Sequence, residues 1–211
     1  MKRSKTKTVE KPPTPIKKKI MQVATKKFAK NGYQKTSMNE IVESAKVSKG
    51  ALLHHFHTKE DLFFVVFSQN VDLAFEKIFE LISSPDFKLF EKRENLFEDL
   101  KKYYDLIVAD TKEFERLWLE GIIESANNPK LRQMMIKKDK EIAMIAVEML
   151  KGARSQIGIL DGYDDSELLE VARGVGALWR GIFLDKMAGK SPKEIRNTFA
   201  RMLYNVYSSK K

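Results

Sequence analysis

The stretch that decides the fold is Ser37-Met38-Asn39-Glu40-Ile41-Val42-Glu43-Ser44-Ala45-Lys46-Val47-Ser48-Lys49-Gly50-Ala51-Leu52-Leu53-His54-His55-Phe56. Ser37 with Glu40 three residues on is a capping box, in which each side chain satisfies a backbone N–H that a first helical turn leaves without a partner. Met38, Ile41, Val42 and Ala45 recur at the spacing of one buried helical face. Lys46 and Val47 make a tight break. Ser48 then caps a second helix, with Val47 placed to staple against Leu52. That helix runs only to about Phe56. Two short helices joined by such a turn are the unit that lays its second helix in the major groove of DNA.

Outward from this pair, the pattern stays helical, with no internal repeat and no strand pattern. On the N-terminal side, Ile20, Val23, Ala24, Lys27 and Phe28 follow amphipathic spacing, and Asn31–Gly32 supplies the stop. Residues 1–15 are basic, and Pro12, Pro13 and Pro15 oppose a regular helix, so a disordered arm is expected there. On the C-terminal side, Thr58 with Asp61 opens a long helix carrying Phe63, Val66, Phe75, Ile78 and Ile82, which Pro85 interrupts. Further helices are expected at about 87–109, 112–126, 129–156, 165–188 and 192–208. Asp164 with Glu167 and Ser191–Pro192 open the last two, and Gly189 closes the first of them.

The second helix of the opening pair has the residues that groove reading needs. Gly50 and Ala51 allow close backbone approach, Lys49 reaches phosphate or guanine, and Leu52 with Phe56 anchors the inner face. Thr36 and Ser37, at a helix N-terminus, suit a phosphate, and Lys59 can grip the flanking backbone. His54, His55 and His57 fall within four residues, which raises a metal site. No carboxylate or cysteine stands at ligand spacing, and successive helical residues point apart, so no metal is expected.

From Ile20 to Leu62 the chain resembles the TetR family of transcriptional regulators. The resemblance is carried by Ala24, Phe28, Gly32-Tyr33, Thr36-Ser37-Met38, Ile41, the run Ala45 to Phe56 and Lys59-Glu60-Asp61-Leu62. It implies an all-α fold of about nine helices: a basic arm over 1–15, a helix-turn-helix head over 16–60, and a ligand-binding and dimerisation body over 61–211. The DNA-facing set it implies, with the residues above, is Thr36, Ser37, Lys46, Ser48, Lys49, Gly50, Leu52, His54, His55 and Lys59. Leu53 departs from the pattern, since the family usually places there a tyrosine whose hydroxyl contacts phosphate.

Charge distribution agrees with a phosphate-rich partner. Residues 1–60 hold 15 Lys/Arg against four acids, whereas the other 151 hold 24 Lys/Arg and 25 Asp/Glu. Such asymmetry suits nucleic acid or an anionic membrane surface; a solubilising tail explains residues 1–19 but not the whole first quarter. No stretch approaches the roughly 18 apolar residues of a membrane span, and the start lacks the apolar run of a secretory signal. The absence of cysteine excludes disulfides and thiolate metal sites. A cytoplasmic location without membrane attachment is expected. No nucleophile–base pair or phosphate-cradling glycine loop is visible, so an enzyme is not expected.

In the body, residues 165–188 are apolar on nearly every side, with Gly174, Gly176, Ala177 and Gly181 among them, and Ile195, Phe199, Met202, Leu203 and Val206 form a second stripe. Two such helices from each subunit would make a four-helix homodimer interface, and an ordinary core within one subunit is the alternative. The middle helices are rich in aromatics and methionines. With the resemblance supplying the pocket, Tyr103, Tyr104, Trp118, Arg132, Met135, Trp179 and Phe183 are its candidate lining. The overall pattern resembles FadR-like members, which implies a long-chain fatty acyl-CoA effector with Arg116, Arg132 or Lys137 at its head group. A multidrug-type or other hydrophobic effector is the alternative. No resident cofactor is expected beyond this small molecule.

Overall fold

The computed structural model describes residues 13–84, 86–108 and 112–209. Among them are nine α-helices and no strand: α1 Pro15–Asn31, α2 Met38–Ala45, α3 Lys49–His55, α4 Lys59–Ser83, α5 Leu96–Val108, α6 Lys112–Ser125, α7 Pro129–Ile157, α8 Asp165–Met187 and α9 Pro192–Ser208. The chain divides into two compact units, Met1–Val66 and Phe67–Lys211, the division falling inside α4. The expected arm lies almost wholly outside the described residues. At its last position Pro15 does not break the helix but starts it, because a proline at the first helical position withholds only an N–H that has no helical partner. Thr14 caps it, its hydroxyl oxygen accepting from Lys17 N at 3.2 Å.

In the first unit the helix ends are fixed by local chemistry. The Ser37–Glu40 capping box is complete: Glu40 N donates to Ser37 Oγ at 3.1 Å and Ser37 N donates to Glu40 Oε2 at 2.7 Å. Lys46 closes α2 in a left-handed conformation (φ 50°, ψ 50°), and Ser48 opens α3 by accepting from Ala51 N at 3.1 Å. Ile20, Ala24, Phe28, Ile41, Ala45, Leu52 and Phe56 fill the space between the helices. The Phe63 ring, from the first turns of α4, meets Phe28 and Tyr33 edge-on, each at 5.1 Å. Such pairs add specificity of orientation to the area they bury.

In the second unit α9 packs along α5, and α7 packs on α6 and α8. Residues 87–95, expected as helix, are instead an irregular segment ending in a short 3-10 turn, Arg93–Asn95. Its Phe90 sits at φ 61° and donates its N–H to the buried Asp99 carboxylate at 2.9 Å, so a side chain takes the bond a helix would have formed. Arg93 donates to the carbonyls of Gly158 and Ser208, tying this segment to the ends of α7 and α9. The stripe on α9 divides: Ile195, Phe199 and Leu203 are buried within the subunit, while Met202 is half exposed. The alternative reading of that stripe as internal core therefore holds for most of it. Among the described residues no helix is long and apolar enough to cross a membrane.

Candidate nucleic-acid interface

Burial sorts the ten DNA-facing candidates. Lys46, Ser48, Lys49, Gly50 and His54 are exposed around the turn and α3, and Ser37 is exposed at the start of α2. Ser37 Oγ and Ser48 Oγ each accept an N–H of their own helix, which leaves the hydroxyl proton of each free for a phosphate. Two candidates lie inside. Leu52 is fully buried and holds α3 to the head rather than meeting a ligand. Thr36 is also fully buried: its hydroxyl lies 2.8 Å from Gly32 O and 3.3 Å from Lys27 O, and its N–H donates to Tyr33 O. Its place in a phosphate-binding set is corrected accordingly; it locks the α1–α2 turn.

Lys59 is partly engaged. Its ammonium donates to Tyr33 O at 3.1 Å and lies 4.2 Å from the centre of the Tyr33 ring. His55 is half-buried, its Nε2 3.4 Å from Thr14 Oγ1 and its ring 5.1 Å from that of His54. Burial first, then the His54 and Lys17 charges, lower its pKa. Lys17 lies 5.9 Å from the Phe56 ring and so joins this edge of the head. Its only signal in the sequence is the Lys17–Lys18–Lys19 run at the start of α1. What the arrangement presents is a short helix whose outer side combines two small residues, cations and imidazoles, suited to a groove lined by phosphate.

The ligand candidates of the body divide. Trp118, Phe183, Trp179 and Tyr104 come together in one continuous series of rings: Phe67, Trp118, Phe114, Phe183, Trp179, Tyr104 and Phe199, with successive centroids 5.3 to 6.1 Å apart. Tyr104 and Trp179 stack almost parallel, at 4°. The Trp118 indole N–H is buried and has no hydrogen-bond partner among the described residues. Tyr103 stands apart against Phe90 at 5.6 Å, and burial raises its hydroxyl pKa. Met135 is half-buried on α7. Arg132 donates to the carbonyls of Ser125 and Ala126, closing the end of α6, so its guanidinium is committed there and not at a pocket mouth.

Residues 20–66 match the model of the bacterial regulatory proteins, tetR family. The chain is 30% identical over 123 residues to the HTH-type transcriptional regulator YuxN of Bacillus subtilis, an alignment covering 57% of this chain and 42% of that protein. It is 52% identical over 48 residues to the HTH-type transcriptional regulator QacR of Staphylococcus aureus, covering 23% of this chain and 26% of QacR. The chain thus spans less than half the length of these two relatives. The fold of Salmonella enterica GusR matches 94% of this chain and 98% of that one, with a TM-score of 0.73 at 22% identity.

Proposed function

We propose that the chain, whose residues 20–66 match the tetR family of bacterial regulatory proteins, is a ligand-responsive transcriptional repressor of that family. It binds palindromic double-stranded operator DNA as a homodimer in the cytoplasm, and a small amphipathic effector releases it. The observation that carries this reading is the exposed outer side of α3, with Lys49, Gly50 and His54 beside the Lys46–Ser48 turn. Occupying the operator excludes other proteins from it. Release requires an effector that binds the DNA-free conformation more tightly, since equal binding to both shifts nothing. A change in the spacing of the two heads, transmitted through α4, is the means.

Dimerisation is supported by one side of α8, where Gly174, Ala177, Gly181 and Leu184 are exposed at helical spacing. For the effector, the leading reading is a long-chain fatty acyl-CoA, which puts the chain in the control of fatty-acid metabolism. Supporting it are the apolar series of rings and a cleft of about 490 Å³ in which Tyr104, the last ring but one of that series, meets Lys193 together with Lys186, Lys190 and Arg196, which are paired with Glu115, Asp185 and Asp105. An apolar tail beside cations matches an acyl chain with a phosphorylated head. The exposed Arg116 and Lys137 remain further head-group candidates, and Arg132 does not. A multidrug-type sensor controlling an efflux or stress operon is the alternative.

The test is fluorescence anisotropy on a duplex selected by the protein, at physiological salt. Lys49→Ala is expected to weaken binding severalfold, and micromolar long-chain acyl-CoA is expected to release the wild type. Unchanged affinity in Lys49→Ala overturns the assignment of α3. Release by hydrophobic cations but not by acyl-CoA decides for the multidrug alternative.

A further inference from the structure

The inference drawn here rests on α3 lying in the major groove, and adds which base it reads there. Leu53 is 39% exposed on α3, whereas Leu52 and Phe56 beside it are buried against the head. Leu53 is therefore less committed to holding α3 in place than these two. It follows Lys49 by four residues and Gly50 by three, so it shares a side of the helix with these two exposed residues. The four base pairs display hydrogen-bond donors and acceptors in the major groove, and a single apolar group, the C5-methyl of thymine. A leucine set against any of the others strips water from a polar atom and returns no bond. Against the methyl it removes apolar surface on both partners from water.

We infer that Leu53 is a specificity residue that selects a thymine in each operator half-site by packing on its methyl group. Gly50 and Ala51 beside it keep the helix slim enough for that approach. The test begins by selecting duplexes from a random library with the full chain. Each thymine of the resulting half-site is then exchanged for uracil, which deletes the methyl and keeps the base pair. At one such position the wild type is expected to lose about fourfold in affinity per half-site, the burial of one methyl group written as a ratio. Leu53→Ala is expected to be indifferent to the same exchange, and Leu53→Asn to select a different base there, since an amide suits adenine. Because Leu53 is partly exposed, both variants are expected to keep the wild-type helical circular dichroism and to melt only slightly lower. Uracil tolerated at every thymine, or an equal loss in the wild type and Leu53→Ala, overturns the inference and leaves DNA binding standing. Failure of the wild type to select any duplex overturns the assignment of α3 itself, and this inference with it.

Discussion

Lys46 holds a left-handed backbone in which a Cβ costs about 1 kcal/mol relative to glycine. Its exposed ammonium stands at the turn before α3, which accounts for a residue that stability alone disfavours. Lys46→Gly is expected to raise folding stability by up to about 1 kcal/mol in a denaturant titration while weakening operator binding and flattening its salt dependence. Gain in both, or loss in both, would separate the residue from DNA. His55 works in the other sense. Its imidazole pKa lies below the usual 6.5 because of burial and then the His54 and Lys17 charges, with the Thr14 hydroxyl as its neighbour from α1. The unfolded chain takes up this proton at higher pH than the folded one, so the stability due to His55 is present above pH 6.5 and is lost as pH falls below it. A phosphate beside the ring favours the imidazolium, so operator affinity is expected to rise over the same range. Thermal melts and binding measured from pH 7.5 to 5.5 check both slopes, and His55→Gln is expected to flatten them.

At the scale of elements, whatever rests on neighbours in sequence was legible before the structure. Ser37, Ser48 and Asp164 cap α2, α3 and α8 through side-chain bonds three residues long, and Pro192 opens α9. Periodicity and capping therefore place most helices closely. Residues 87–95 misled because Phe90 ends up bonded to Asp99, nine residues away, and no period records such a bond. Thr36 reads as a phosphate contact because threonine suits a helix N-terminus. Its hydroxyl instead turns inward to Gly32 O and Lys27 O, which only the packing of α1 on α2 decides. Arg132 likewise reads as a cation at a pocket mouth, yet the α6–α7 turn brings two carbonyls within its reach. For α3, caps and small residues are enough to locate the element. For the body, aromatic content announces a core without saying which rings adjoin, and the series from Phe67 to Phe199 joins five helices, α4, α5, α6, α8 and α9.

For the molecule as a whole, the sequence piles positive charge into its first 60 residues and leaves the rest nearly balanced. On the proposed function, a single head gains most of its attraction from phosphate, which is strong but nearly blind to sequence. Tying two heads together makes the second half-site an intramolecular partner of the first, so specificity grows without any new base contact. On this account the exposed side of α8 is as much a part of DNA recognition as α3. Gly181 offers the decisive position, since a Cβ added there meets nothing within 4 Å in its own subunit. Gly181→Glu therefore leaves the fold of one chain undisturbed and, inside a helix, favours it. Across a two-fold interface the same change sets two carboxylates against each other in a space fit for glycine. Sedimentation is expected to show a monomer with unchanged helical circular dichroism. Affinity for a palindromic operator is expected to fall at least tenfold, toward the affinity for an isolated half-site. A variant that remains dimeric and keeps full operator affinity would place the interface on another face and free α8 for a different partner.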